Sequence, residues 1–281
     1  MIPELAFGLG AALIWGVADF STKYAVRKGG VFNTAFYSHV FAALFCGLFL
    51  LIFSPFSISW TAISYCILVG MVWGSGNLTF AKAMKEGAIS VVTSINASYA
   101  LYVVFLSVLW FGERLAFYQM VLVFVVIAGV MLASVKFSEL RKKRSRLVSG
   151  ALWSFASAAL FGVGIYFFKP LSQEMGPASA LFFIYLGATI LTFVWWFFER
   201  PSRPSKSGIG WAAWIALLYL GANLIYTTGV SQYLASLIAP ISSVFPLVAI
   251  GLAYYFEKER LELNQWAGVL CVVAGTALLS V

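Results

Sequence analysis

The stretch VLWFGERL, residues 108–115, has a second version in AYYFEKERL, residues 253–261, and each closes a long apolar run. Glu-Arg-Leu written twice in this setting reflects either chance or duplication, and the rest of the chain decides which. Sliding the sequence against itself by 146 positions, the separation of Asn77 and Asn223, gives matches along the whole length without a gap. Gly16-Val17 falls on Gly162-Val163, Lys23 on Lys169, Gly30 on Gly176, and Asn77-Leu78 on Asn223-Leu224. Glu113-Arg114-Leu115 meets Glu259-Arg260-Leu261, Gln119 meets Gln265, and Ala128-Gly129 meets Ala274-Gly275. Shared hydrophobicity does not align residues this unlike, so the chain is a duplication.

Its solvent follows from composition. The chain is 62% hydrophobic and 10% charged, where a soluble domain holds about 45 to 50% and about 25%. This is a membrane protein. Apolar stretches recur as far as Val281, so the first of them is kept as a span rather than a secretory signal. Cys46, Cys66 and Cys271 stand singly in apolar runs with no CxxC spacing, so neither a metal site nor a disulfide framework is expected, and no cofactor is implied.

A helix needs about 20 mainly apolar residues to cross the hydrocarbon. Charge clusters and Pro/Gly punctuation mark spans near 3–26, 31–53, 61–81, 88–110 and 117–135, then near 148–168, 177–198, 209–229, 234–256 and 264–281. The predicted fold is an all-α integral membrane protein with about ten transmembrane helices, arranged as two five-helix repeats, 1–135 and 148–281. They are joined by the basic linker KFSELRKKRSRL, residues 136–147. An odd number of spans per copy makes the second copy enter from the opposite side, so the repeats are inverted. Inverted repeats are the usual frame of an alternating-access transporter, with substrate held near the midplane where they meet.

The net charge of +8 is explained without nucleic acid, because short basic loops stay on the cytoplasmic side. Arg27, Lys28, Lys82, Lys85, the linker, Arg200, Arg203 and Lys206 share one side when the spans alternate. The linker is therefore expected in the cytoplasm and both termini outside, in the inner cell membrane. Short helix connections leave no dimerisation domain, and a monomer is the default. At the turns after the fourth helix of each half, Glu113-Arg114 and Glu259-Arg260 are expected to pair locally and to bond free backbone groups.

These residues carry a family likeness. LIWGVADFSTKYA (13–25), SVVTSINASYALYVVFLSVLWFGERL (90–115) and SLIAPISSVFPLVAIGLAYYFEKERL (236–261) resemble the EamA-type branch of the drug/metabolite transporter superfamily over essentially the whole chain. The resemblance implies a secondary carrier of small polar metabolites, most often an exporter of amino acids or related compounds. It also implies a cavity between the halves, lined by the first, third and fourth helices of each. Three departures stand out: Lys258 replaces the counterpart of Gly112, Pro240 and Pro246 have Ser94 and Ala100 as counterparts, and Trp15 stands where small multidrug exporters of the superfamily carry their proton-coupling acid.

The substrate-binding candidates are Asn77, Asn223, Trp15, Tyr99, Tyr226 and Asp19. An amide at membrane depth either meets a ligand or ties its helix to a neighbour. Asp19, four residues before Lys23, either couples transport to protons, holds the amino group of a zwitterion, or pairs with a snorkelling lysine at the span end. Lys23 and Lys169 lie late in their helices and are expected to snorkel. Pro240 and Pro246 bend their helix, as a hinge, a ligand site or a plain structural kink. Trp15, Tyr99 and Tyr226 would wall in an amphipathic substrate. His39 is the sole histidine and reads as a packing residue, with a proton sensor the minority reading, so metal chemistry is not expected. No HExxH, nucleophile motif or phosphate loop is present, which argues against an enzyme. A sugar or nucleotide-sugar carrier and a channel-like facilitator remain as rivals, and only Lys23, Lys82 and Lys169 are placed to meet phosphate.

Overall fold

A computed structural model describes residues 2–53, 59–87, 89–134, 144–257 and 262–279. The turn at Lys258 to Leu261, linker residues 136–143 and most of the turn from Ser54 to Ser59 lie outside them. The first half holds α1 (Ile2–Gly29), α2 (Val31–Phe53), α3 (Trp60–Glu86), α4 (Ile89–Ala97), α5 (Tyr99–Trp110) and α6 (Phe117–Ser134). The second holds α7 (Arg144–Met175), α8 (Pro177–Glu199), α9 (Lys206–Gln232), α10 (Ala235–Ser242), α11 (Phe245–Glu257) and α12 (Leu263–Leu279). No strand occurs among the described residues.

Among the described residues, eight stretches are long and apolar enough to cross a bilayer, counting α4 with α5 and α10 with α11 as one each. The shorter apolar helices α6 and α12 complete ten crossings in two inverted repeats. Two differences from the expected spans are physical. Helix α7 begins inside the stretch read as linker and runs on through Pro170, ending at Met175. The fourth span of each half is broken, at the bend expected from Pro240 and Pro246 in the second half and, unexpectedly, at Ser98 in the first.

The same local chemistry shapes both halves. Gly30 separates α1 from α2 with φ of 79°, and its counterpart Gly176 separates α7 from α8 with φ of 80°. Only glycine takes that left-handed region without a side-chain clash, so one residue suffices for each turn. Ser59 caps α3, its Oγ accepting from Ala62 N at 3.4 Å, and Ser205 caps α9, accepting from Gly208 N at 3.0 Å.

Packing exchanges elements between the halves. The first helix of each repeat lies on the third of the other, α1 on α9 and α7 on α3, while α6 and α12 pack together to one side. Within lipid the hydrophobic effect does not press helices together, so close backbone approach through small residues takes its place. A Cβ at Gly16 would lie 2.4 Å from Val248 Cβ, and a Cβ at its counterpart Gly162 would lie 2.4 Å from Tyr102 Cβ. Val248 and Tyr102 are themselves counterparts, so one inter-repeat crossing is built twice. Large apolar side chains such as Leu13, Phe105 and Phe198 face outward, as a lipid-exposed surface requires.

The broken spans cross near the centre. In the second half the break at Ser243–Val244 lies between Pro240 and Pro246. In the first half the break at Ser98 has no proline beside it. Serine hydroxyls occupy carbonyls near both breaks: Ser98 Oγ donates to Ile95 O at 2.6 Å and Ser243 Oγ to Pro240 O at 2.7 Å. Irregular backbone at membrane depth is tolerated where it is buried in protein or lines a cavity.

Candidate functional site

The breaks face a central cavity with room for water centres of about 30 Å³, enough for about two waters. It is built from counterpart pairs. Trp15 faces it from α1 and Phe161 from α7, and Trp73 from α3 with Tyr219 from α9. Tyr99 at the start of α5 is matched by Phe245 at the start of α11. Asp19 is matched by Ile165, so the acid has an apolar counterpart. Asn77, Phe80 and Asn96 complete the lining from the first half alone.

Hydrogen bonds fix the walls. Trp15 Nε1 donates to Asn223 Oδ1 at 2.9 Å, and Asn223 Nδ2 donates to Tyr185 OH at 2.8 Å. Asn223 is fully buried and both ends of its amide are used, tying α1 to α9 and α8. Its counterpart Asn77 is half-buried, lines the cavity, and donates Nδ2 to Trp73 O of its own helix at 3.0 Å. Tyr99 OH lies 2.7 Å from Ser242 Oγ and 3.4 Å from Ala239 O, joining the start of α5 to α10. The Tyr226 ring packs against Trp15 with centroids 5.2 Å apart, tilted by 38°, and is not part of the lining.

Asp19 is 4% exposed. Its Oδ1 accepts from Tyr219 OH at 2.6 Å, and Tyr219 OH lies 3.0 Å from Thr22 Oγ1. Asp19 Oδ2 and Asn96 Oδ1 are buried without a hydrogen-bond partner. Asp19 thus takes its hydrogen bond from across the repeat interface, not from Lys23 in its own helix. About ten residues separate it from the end of α1, roughly 15 Å at helical rise, which is half the hydrocarbon thickness.

A second polar cluster lies on the face opposite the linker. Glu113, 7% exposed in the turn after α5, accepts from Ala235 N at 3.2 Å and Ser236 N at 2.9 Å, capping α10. Lys169 Nζ forms an ion pair with Glu113 Oε1, donates to Tyr233 O at 3.3 Å, and lies 5.4 Å from the centre of the Phe111 ring. Burial pushes the Glu113 carboxyl up, but the hydrogen bonds from Lys169 and the Ser236 N–H, with the lysine charge, outweigh it and hold the carboxyl below the usual carboxylate range. The expected backbone bonding by Glu113 is present. Its charge partner is Lys169, however, while Arg114 is exposed, and Lys169 is held in this ion pair instead of snorkelling.

Of the residues singled out in the sequence, Trp15, Asp19, Asn77 and Tyr99 meet in the cavity, Asn223 and Tyr226 stand behind it, and Pro240 and Pro246 flank a break. His39 is buried at 3.5 Å from Thr192 Oγ1, away from the lining. Phe161, Ile165 and Phe245 were within reach of the sequence, because adding the repeat offset to Trp15, Asp19 and Tyr99 gives them. Subtracting it from Tyr219 gives Trp73, but neither carried a signal of its own.

The sequence profile of the EamA-like transporter family matches residues 2–135 and again 148–281. An uncharacterised transporter of Archaeoglobus fulgidus is 22% identical over 280 residues, covering 98% of this chain and 97% of its own. Solute carrier family 35 member F5 of Macaca fascicularis is 27% identical over 128 residues, 44% of this chain, and the match spans only 29% of that longer protein. A probable 4-amino-4-deoxy-L-arabinose-phosphoundecaprenol flippase subunit, ArnE, of Pseudomonas fluorescens is 33% identical over 72 residues, 24% of this chain and 59% of its own. A solved crystal structure superposes with a TM-score of 0.77 at 15% identity over 99% of this chain and 97% of the other, a likeness of fold alone. With both halves matched by one profile and the same architecture at full length, the chain belongs to the EamA-like transporter family.

Proposed function

We propose that the protein is an alternating-access carrier of small polar or amphipathic metabolites, related to amino acids, which it moves outward across the inner cell membrane by rocking its halves about the central cavity. The observation that carries this reading is the cavity itself, lined by counterpart residues of both repeats where the two broken spans cross. An axis of pseudo-symmetry through a binding site lets the same walls part toward either face. Trp15, Asp19, Asn77 and Tyr99 bind substrate, and Asn223 and Tyr226 hold the wall in place. Pro240 and Pro246 make α10 and α11 the more easily bent of the broken spans. The linker lies in the cytoplasm and both termini lie outside.

The sugar-phosphate reading is disfavoured by one observation. None of Lys23, Lys82 and Lys169 lines the cavity: Lys169 is paired with Glu113, and Lys82 sits over the rings of Phe32 and Trp153 at 5.6 and 4.8 Å. A phosphate there would have a carboxylate for a neighbour and no cation among the described lining residues. That also separates this chain from the substrate named for the ArnE subunit.

Counterflow in proteoliposomes preloaded with unlabelled amino acids, amines, sugars or nucleotide sugars tests the proposal. Saturable uptake accelerated by an internal solute, and reduced at least about tenfold by Asn77→Ala with Tyr99→Ala, is the expected result. Large single-channel currents with no counterflow would replace the carrier with a channel.

A further inference from the structure

We propose that the cavity selects an organic ammonium ion, a primary or secondary amine with an aromatic or apolar body and no carboxylate, and that Asp19 is its counter-charge. The inference rests on the carrier reading above and narrows its substrate class.

The lining holds two buried acceptors free to take a hydrogen bond, one of them a carboxylate oxygen. Asp19 Oδ2 and Asn96 Oδ1 are the buried atoms there without a partner, on side chains 4% and 5% exposed. Three of the donors nearby are already engaged: Trp15 Nε1 on Asn223, Tyr219 OH on Asp19, and Asn77 Nδ2 on Trp73 O. An ammonium group brings up to three donors and no acceptor, so it complements this set. A carboxylate brings acceptors only and would find no cation among the described lining residues. A zwitterion therefore meets half of its needs and leaves its negative end desolvated beside Asp19, which is costly in a dry site.

The rest of the wall fits the same ligand. Trp15, Trp73, Tyr99, Phe161 and Phe245 present ring surface around the acid. Aromatic faces attract a cation electrostatically and cover an apolar body without asking for hydrogen bonds. The acid also lacks a symmetric twin, Ile165 being its counterpart, so one charge per cavity sets a stoichiometry of one ammonium. The space of about 30 Å³ is smaller than any such amine, and binding requires these rings to move apart.

The test uses three solutes with one body and three charges: phenethylamine, phenylalanine and 3-phenylpropionate. Binding to the purified full-length protein in detergent is followed by tryptophan fluorescence and by calorimetry, beside counterflow in liposomes. Phenethylamine is expected to bind at least about tenfold more tightly than phenylalanine, with no binding of phenylpropionate. Asp19→Asn removes amine binding, Asp19→Glu restores part of it, and Asn96→Leu weakens it while the protein stays monodisperse. The proposal is overturned if phenylalanine binds as well as the amine, if the Asp19→Asn protein is folded and binds phenethylamine unchanged, or if none of the three binds. Counterflow of any other solute in that last case would leave the carrier reading standing and remove only the amine.

Discussion

Asn77 and Asn223 occupy equivalent positions and do unequal work. Asn223 bonds Trp15 on one helix and Tyr185 on another while fully buried, so Asn223→Ala strands a tryptophan N–H and a tyrosine hydroxyl. The expected cost is about 1 to 3 kcal/mol of stability, seen as a lower melting midpoint in detergent. Asn77→Ala removes one bond to its own helix and should leave the midpoint within about 0.5 kcal/mol while impairing transport. The Glu113 carboxyl makes a second prediction at this scale. Held below its ordinary 4.5 in the paired state, it contributes stability that is complete above that value and is lost as pH falls through the lower, paired value. The melting midpoint of wild type should therefore exceed that of Glu113→Gln at neutral pH, and the gap should narrow as the pH is taken below that ordinary value. A gap that persists unchanged in acid would mean that the ion pair is not the source.

Among the elements, the broken spans separate what proline causes from what architecture causes. The first half breaks at Ser98 with no proline nearby, and the second at the equivalent place between Pro240 and Pro246. Pro240→Ala should then leave the break in place and lower transport no more than about threefold, measured as counterflow rate. Gly162→Leu is expected to be far more damaging, because even a Cβ there would lie 2.4 Å from Tyr102 Cβ. Loss of the folded monodisperse peak on size exclusion checks this. The sequence was legible here in part. Charge clusters and apolar length located the crossings, since a bilayer imposes a nearly fixed length. Pro240 and Pro246 announced a bend in the second half, whereas the break at Ser98 was not legible, because SVVTSINASYALYVV holds neither proline nor glycine and its unwinding depends on what the other repeat presents to Ser98 and Tyr99.

For the whole molecule, the repeat offset carried most of the information. It specified inversion, a shared midplane, and through Trp15, Asp19 and Tyr99 half of the cavity wall. What it did not carry is the breaking of symmetry. Lys169 paired with Glu113 and Asn223 withdrawn behind the lining are outcomes of three-dimensional packing between unequal copies. The cluster of Glu113, Lys169 and the α10 N-terminus joins the two halves on the face opposite the linker. A disulfide placed across it, as Glu113→Cys with Ser236→Cys, should abolish counterflow when oxidised and restore it on reduction. Undiminished exchange in the oxidised protein would show that this face does not open.

Gly30 and Gly176 have one further consequence. A connection of a single residue, locked at φ of 79° or 80°, has no slack in which a displacement can be lost. Any swing of α1 is delivered at once to α2, and any swing of α7 to α8, so each hairpin behaves as a crank rather than as two rods on a string. Inserting a few flexible residues at either turn would leave the cavity intact and disconnect the lever.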